Sequence, residues 1–258
     1  GGIGGIDGAG LSGGEIWGDA TINPQITEDV YALMKKLEEM IPLVAGIGSG
    51  FLAWKLASAL IPDLGAVQGL LGSLMVGVGV TLLVDSIQDI VFGDGLTWEN
   101  ILKGGAGGAL AGGGIGFMLA KKLGLTWLKG MLGGAVIGLG IALLIESISD
   151  IIVRGLNVGN GLLGIIGGAI AGAAVGFFTL KGATGAILGA AIGVGLALVI
   201  ESITDIAVSG LNLKNGVVGL IGGALAGANI GLKLTGSPTG AVLGAVAGLF
   251  LTLALEGI

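Results

Sequence analysis

The stretch GLLGIIGGAIAGAAVGFFTL, residues 161–180, decides the fold. It carries no charge, and as a helix its twenty residues rise about 30 Å, the thickness of a bilayer's hydrocarbon core. Within it Gly164, Gly168, Gly172 and Gly176 recur at every fourth position. A glycine inside a helix costs about 1 kcal/mol relative to alanine, so a row of four requires a compensating gain. Lipid tails supply no hydrophobic drive between helices, and association there rests on van der Waals contact that small residues permit. The row therefore reads as a flat ridge against which a second helix lies.

The same spacing occurs twice more, at Gly104, Gly108, Gly112 and Gly116 and at Gly219, Gly223, Gly227 and Gly231. Each of these segments is followed by a second apolar segment with its own row of small residues. The rows read Gly130, Gly134, Gly138, Ala142; Gly185, Gly189, Gly193, Ala197; and Gly240, Gly244, Gly248, Thr252. An earlier, diverged copy reads Gly65, Gly69, Ser73, Gly77, Thr81. Rows on both members let a helical hairpin contact its own partner and a neighbouring hairpin. A row at i, i+4 drifts around the helix and suits right-handed crossings. The expected fold is all-α: about eight transmembrane spans in four glycine-ridged hairpins, stacked as a palisade in the membrane.

Composition gives the same class independently. The 258 residues are 53% hydrophobic and 11% charged, with 58 glycines and a mean hydropathy of +1.02. Soluble domains carry about 25% charged residues. Collagen is excluded by a glycine period of four and only four prolines. The chain lacks cysteine and histidine, which removes disulfides, thiolate zinc sites and every Ser-His arrangement. A net charge of −6 offers no basic surface to nucleic acid. No phosphate loop, zincin motif or nucleophile elbow is present, so no enzyme activity and no cofactor or metal is expected.

The chain divides into four regions. Residues 1–24 read as a flexible glycine-rich lead. Residues 25–41 read as a short amphipathic interfacial helix, with Ile26, Val30, Leu33, Leu37 and Ile41 on its apolar face. Residues 42–92 form the diverged first hairpin, and residues 93–258 the repeated ones. First helices are expected near 99–121, 160–180 and 215–233, and second helices near 126–153, 184–208 and 239–256. The shortest charge-free runs are 40–54 and 130–145, which need flanking charges to reach the interface. The chain opens at Gly1 without a methionine or a basic leader, and it reads as a segment of a longer protein.

An acidic step closes each second helix. Asp85-Ser86-Ile87-Gln88-Asp89-Ile90 matches Glu146-Ser147-Ile148-Ser149-Asp150-Ile151 and Glu201-Ser202-Ile203-Thr204-Asp205-Ile206, with a further copy beginning at Glu256. Each full step leads into a loop of the form Gly-Leu-x-x-x-Asn, at 95–100, 155–160 and 210–215, where Thr97 or the asparagines can cap the next helix. The pairs Asp85/Asp89, Glu146/Asp150 and Glu201/Asp205 share a helix face, a placement that repels and opposes the helix dipole. Three readings stand open: an acidic interfacial rim that stops the helices sliding, a carboxylate ring lining a water-filled pore mouth, and a metal site without other clustered ligands. The basic residues Lys121, Lys122, Lys129, Lys181 and Lys233 lie at the opposite, hairpin-turn ends.

The combination of apolar Gly/Ala helices, an acidic Ser-Ile-x-Asp-Ile step and the Gly-Leu-x-x-x-Asn loop resembles the hydrophobic region of tape measure proteins of long-tailed bacteriophages and prophages. The resemblance covers about residues 42–258 and is one of style and repeat. It implies a dual life, first inside the tail tube beside tube proteins, then in the host inner membrane as part of the conduit for genome delivery. The expected partners are the lipid bilayer, further copies of the chain joined through the glycine ridges, and DNA passing without specific binding. A host-encoded channel or transporter using the acidic pairs, and a non-conducting membrane scaffold, are the alternatives.

Overall fold

The computed structural model describes residues 24–62, 64–180 and 182–256, with side chains from Tyr31 onward except at Leu180. The expectations for the glycine-rich lead up to residue 23 and for Lys181 lie outside the described residues. Those described form eight α-helices and no strand: α1 (Pro24–Leu60), α2 (Ala66–Phe92), α3 (Trp98–Leu119), α4 (Trp127–Arg154), α5 (Val158–Leu180), α6 (Ala183–Ser209), α7 (Leu213–Thr235) and α8 (Pro238–Glu256). The chain divides into two units, one up to Met40 and one from Ile41, and the helical hairpins belong to the second.

Local chemistry sets the helix starts. Thr97 Oγ1 accepts the Asn100 N–H at 3.2 Å, and Thr126 Oγ1 accepts that of Lys129 at 3.3 Å. Asn212 accepts the N–H groups of Lys214 and Asn215 while the Asn215 side chain accepts the Asn212 N–H, a reciprocal capping box. Asn157 and Asn160 repeat it before α5. Each such cap is worth about 1 kcal/mol. The loop glycines Gly95, Gly155 and Gly210 have φ of +81°, +70° and +78°, a region closed to ordinary side chains, which is why the loop motif begins with glycine. One boundary differs from the sequence reading. That reading ends an amphipathic helix at 41 and opens a span at 42, whereas α1 is one helix with Pro42 inside it.

Each helix from α2 onward packs on its neighbour in sequence, and the even-numbered helices α2, α4, α6 and α8 also touch one another in turn. This is a quasi-one-dimensional stack of antiparallel hairpins. Its seams are backbone against backbone. Gly108, Gly112 and Gly116 of α3 face Gly138, Gly134 and Gly130 of α4; Gly168, Gly172 and Gly176 of α5 face Gly193, Gly189 and Gly185 of α6; Gly223, Gly227 and Gly231 of α7 face Gly248, Gly244 and Gly240 of α8. A Cβ at any of these first-helix positions would come within 3.0 Å of the opposite backbone, closer than real Cβ atoms approach. A second set of glycines joins successive hairpins. Gly140 meets Gly167 and Ala171, and Gly195 meets Gly222 and Ala226, at 2.5–2.7 Å from an added Cβ. The first hairpin follows the pattern loosely, with Gly46 against Gly77 and Thr81 and Gly50 against Ser73 and Gly77.

The distribution of side chains is inverted relative to a water-soluble protein. Val67, Ile187 and Phe250 are 71%, 70% and 68% exposed, while Glu146, Glu201, Ser147 and Ser202 are wholly buried. Exposed apolar surface on this scale marks a lipid-facing protein. Seven of the eight helices are long and apolar enough to cross a membrane. The exception is α3, not the two short charge-free runs singled out in the sequence. Eight of its 22 residues are glycine and it carries Lys103, so its hydropathy is low although its length suffices.

The seams yield a direct expectation. Gly172→Leu drives a side chain into the Gly189 carbonyl and should separate α5 from α6, lowering the denaturation temperature of the detergent-solubilised protein sharply. Gly48→Ala is the control, because nothing lies within 4 Å of a Cβ there; it should be neutral or stabilising by up to about 1 kcal/mol. Thermal unfolding followed by far-UV circular dichroism compares the two.

Candidate functional site

The polar groups of the repeats gather at the end of the stack where even-numbered helices finish and odd-numbered helices begin. Ser86 of α2 has its Oγ 2.8 Å from the Asn100 carbonyl of α3 and 2.7 Å from Glu146 Oε1 of α4. Ser147 of α4 stands the same way toward the Asn160 carbonyl (2.7 Å) and Glu201 Oε1 (2.8 Å). Ser202 of α6 repeats it with the Asn215 carbonyl (2.6 Å) and Glu256 Oε1 (2.8 Å). Three helices therefore meet at each serine, and the carboxyl always comes from the hairpin after the one that supplies the serine. In each cluster the second carboxyl oxygen, Oε2, is buried without a hydrogen-bond partner.

The ridge explains how a carboxyl fits there. Gly104, Gly164 and Gly219, the first member of each glycine row, do not face the opposite backbone. A Cβ at any of them would collide with Oε1 of Glu146, Glu201 or Glu256, and would lie 2.6–2.9 Å from the serine Oγ. Nine of the twelve ridge glycines are helix contacts, and these three are seats for a carboxyl group. The first hairpin departs from this: Gly46 faces Thr81 and Gly50 faces Gly77, and none of the α1 glycines lies against Asp85. No glycine seat exists there, and Asp85 pairs instead with Lys103 at 2.9 Å.

The second acid of each pair binds the loop. Asn160 Nδ2 donates to Asp150 Oδ2 at 3.1 Å and to the Gly155 carbonyl at 2.9 Å, and Asn215 does the same with Asp205 and Gly210. Asp205 Oδ1 also accepts the Leu156 N–H at 2.8 Å from the preceding loop. Arg154 pairs with Asp150 at 2.6 Å and reaches the Ile90 and Gly93 carbonyls beside the end of α2. Lys214 donates to the Leu156 carbonyl. Loop is thus tied to loop along the stack.

These placements separate the six acids expected at a pore rim. Glu146, Asp150, Glu201 and Asp205 are enclosed by their own chain and line no open mouth. The reason is that helix-end acids find serine, asparagine and backbone donors from the adjoining hairpin, and a buried carboxyl needs such partners. Asp85 and Asp89 are about half exposed, and Lys103 bridges them at 2.9 and 2.6 Å. The wholly buried serine hydroxyls act as crosslinks between helices. Sequence reasoning passed over Ser86, Ser147, Ser202, Lys103 and Arg154. The signal for the serines was present, since each follows the acid in every full copy of the step.

Compared with protein-family models, curated proteins and solved structures, the chain finds no match. The class of protein rests on the geometry: a membrane protein of stacked, glycine-seamed helical hairpins.

Removing one crosslink tests its weight. Ser147→Ala leaves Glu201 Oε1 without its hydroxyl and should destabilise the detergent-solubilised chain by about 1–3 kcal/mol. Combining it with Glu201→Leu should cost less than the sum of the two single changes, because the orphaned carboxyl is gone. Unfolding titrations in mixed SDS micelles measure all three.

Proposed function

We propose that this chain is the membrane-inserting, pore-forming segment of a protein similar to phage tape measure proteins. In that reading it travels in the tail tube and then enters the host inner membrane, where copies assemble side by side around the path of the DNA. The observation that carries the reading is the inverted surface: apolar faces outward along the stack, with polar groups locked inside it. The residues that carry the resemblance, the acidic Ser-Ile-x-Asp-Ile steps and the Gly-Leu-x-x-x-Asn loops, add to it. The mode of association differs from the sequence expectation. The twelve ridge glycines are used within hairpins, as helix contacts or carboxyl seats, so copies would meet through outer apolar faces such as those carrying Val67, Ile187 and Val242.

A non-conducting membrane scaffold is the second reading, favoured by the enclosure of Glu146, Asp150, Glu201 and Asp205. Purified chain added to liposomes loaded with a self-quenched dye distinguishes them, with protease protection scoring insertion separately. The pore reading expects insertion with dye release. Full insertion with the dye retained and no ion current selects the scaffold.

A further inference from the structure

Two apolar troughs run along the stack, and they are the same trough in successive repeats. The first, about 560 Å³, is floored by the α3–α4 seam at Gly108, Gly112, Gly134 and Gly138. The second, about 400 Å³, is floored by the α5–α6 seam at the equivalent Gly168, Gly172, Gly189 and Gly193. Their origin is simple: where two helices touch through glycine backbone, no side chains fill the surface beside the contact. Ile137, Ile141, Val175 and Thr179 belong to both troughs and form the wall between them. Each trough holds one charged residue, Lys129 in the first and Lys233 in the second. Both lysines lie at the hairpin-turn end of the stack, the end opposite the buried carboxyls.

We infer that each trough is a binding site for one anionic phospholipid, with an acyl chain along the glycine floor and the phosphate at Lys129 or Lys233. The length fits. The α3 lining of the first trough runs from Gly108 to Leu119 and the α5 lining of the second from Gly168 to Thr179. At 1.5 Å per residue each covers about 16 Å, against about 15 Å for one leaflet of the hydrocarbon core. The charge selects the headgroup: a lysine at the membrane surface favours an anionic lipid about five-fold. The carboxyl-rich end of the stack would repel the same headgroup, so the lipid has one orientation. A second copy of the chain fits less well, since either lysine would need an acidic partner at the turn end, and the acids of the described spans crowd the other end.

The inference rests on membrane residence but not on pore formation. The test is native mass spectrometry of the chain released from nanodiscs of equal phosphatidylglycerol and phosphatidylcholine, with flotation scoring insertion. The wild type should retain up to two lipids, phosphatidylglycerol over phosphatidylcholine by about five-fold per site. Lys129→Gln combined with Lys233→Gln should abolish that preference while insertion is unchanged. Val175→Trp, which fills the wall shared by both troughs, should lower retention of either lipid. Insertion with equal retention of the two lipids, or a lipid-free dimer, overturns the inference alone; failure to insert overturns it together with the membrane reading.

Discussion

Direct contact between glycine backbones is the constraint on which the remaining architecture depends. In a membrane, helices separate unless packing holds them, because lipid tails solvate an apolar side chain as well as a neighbouring helix does. Dispersion is weak per atom pair and falls steeply with a small gap. Glycines placed where helices cross bring backbones close enough for that attraction to accumulate over the whole length of a seam. The same choice makes the seams intolerant. A single methyl at Gly112 or Gly227 has no space to occupy, so these positions are fixed by shape rather than by chemistry.

Close approach has a second effect, on polar groups. Once α3 and α4 lie backbone to backbone, the space above Gly104 is wide enough for one carboxyl and excludes water from it. Glu146 fills that space and reaches Ser86. The repeat then extends this wiring along the chain, since a serine in one hairpin always bonds to a glutamate in the next. Hairpins are therefore not interchangeable beads. The bond from Ser147 to Glu201 spans 54 residues and exists only when two hairpins have stacked in register.

Much of this was legible in the sequence, and the part that was not has a physical explanation. The helix spans follow from charge-free length and from the four-residue period, which needs no partner to be seen. The loop glycines and the caps at Thr97 and Asn212 follow from local backbone chemistry. What a glycine row faces is a tertiary fact. The rows at 104–116 and 164–176 look uniform in sequence, yet their first members seat a carboxyl and the others seat a helix. The fate of the acids was hidden for the same reason. Glu201 and Asp205 have unfavourable local placements, and only hydroxyl and amide donors from Ser147 and Asn215, brought by stacking, show why those placements persist. The boundary read at residue 41 went the opposite way, since the amphipathic pattern gives way there to an apolar one while α1 continues through as one helix.

The composition of α3 bears on how the protein enters a bilayer. Its glycines and Lys103 leave it as the one helix of the eight that is not apolar enough to count as a span by itself, so as a lone rod it has little reason to leave water or the interface. Folded against α4, it hides that bare backbone and shares the stronger apolarity of its partner. For α3, the hairpin rather than the single helix is then the smallest piece able to cross. A chain that must penetrate a membrane without assistance gains from this, because a closed hairpin can be delivered from one side with its turn leading.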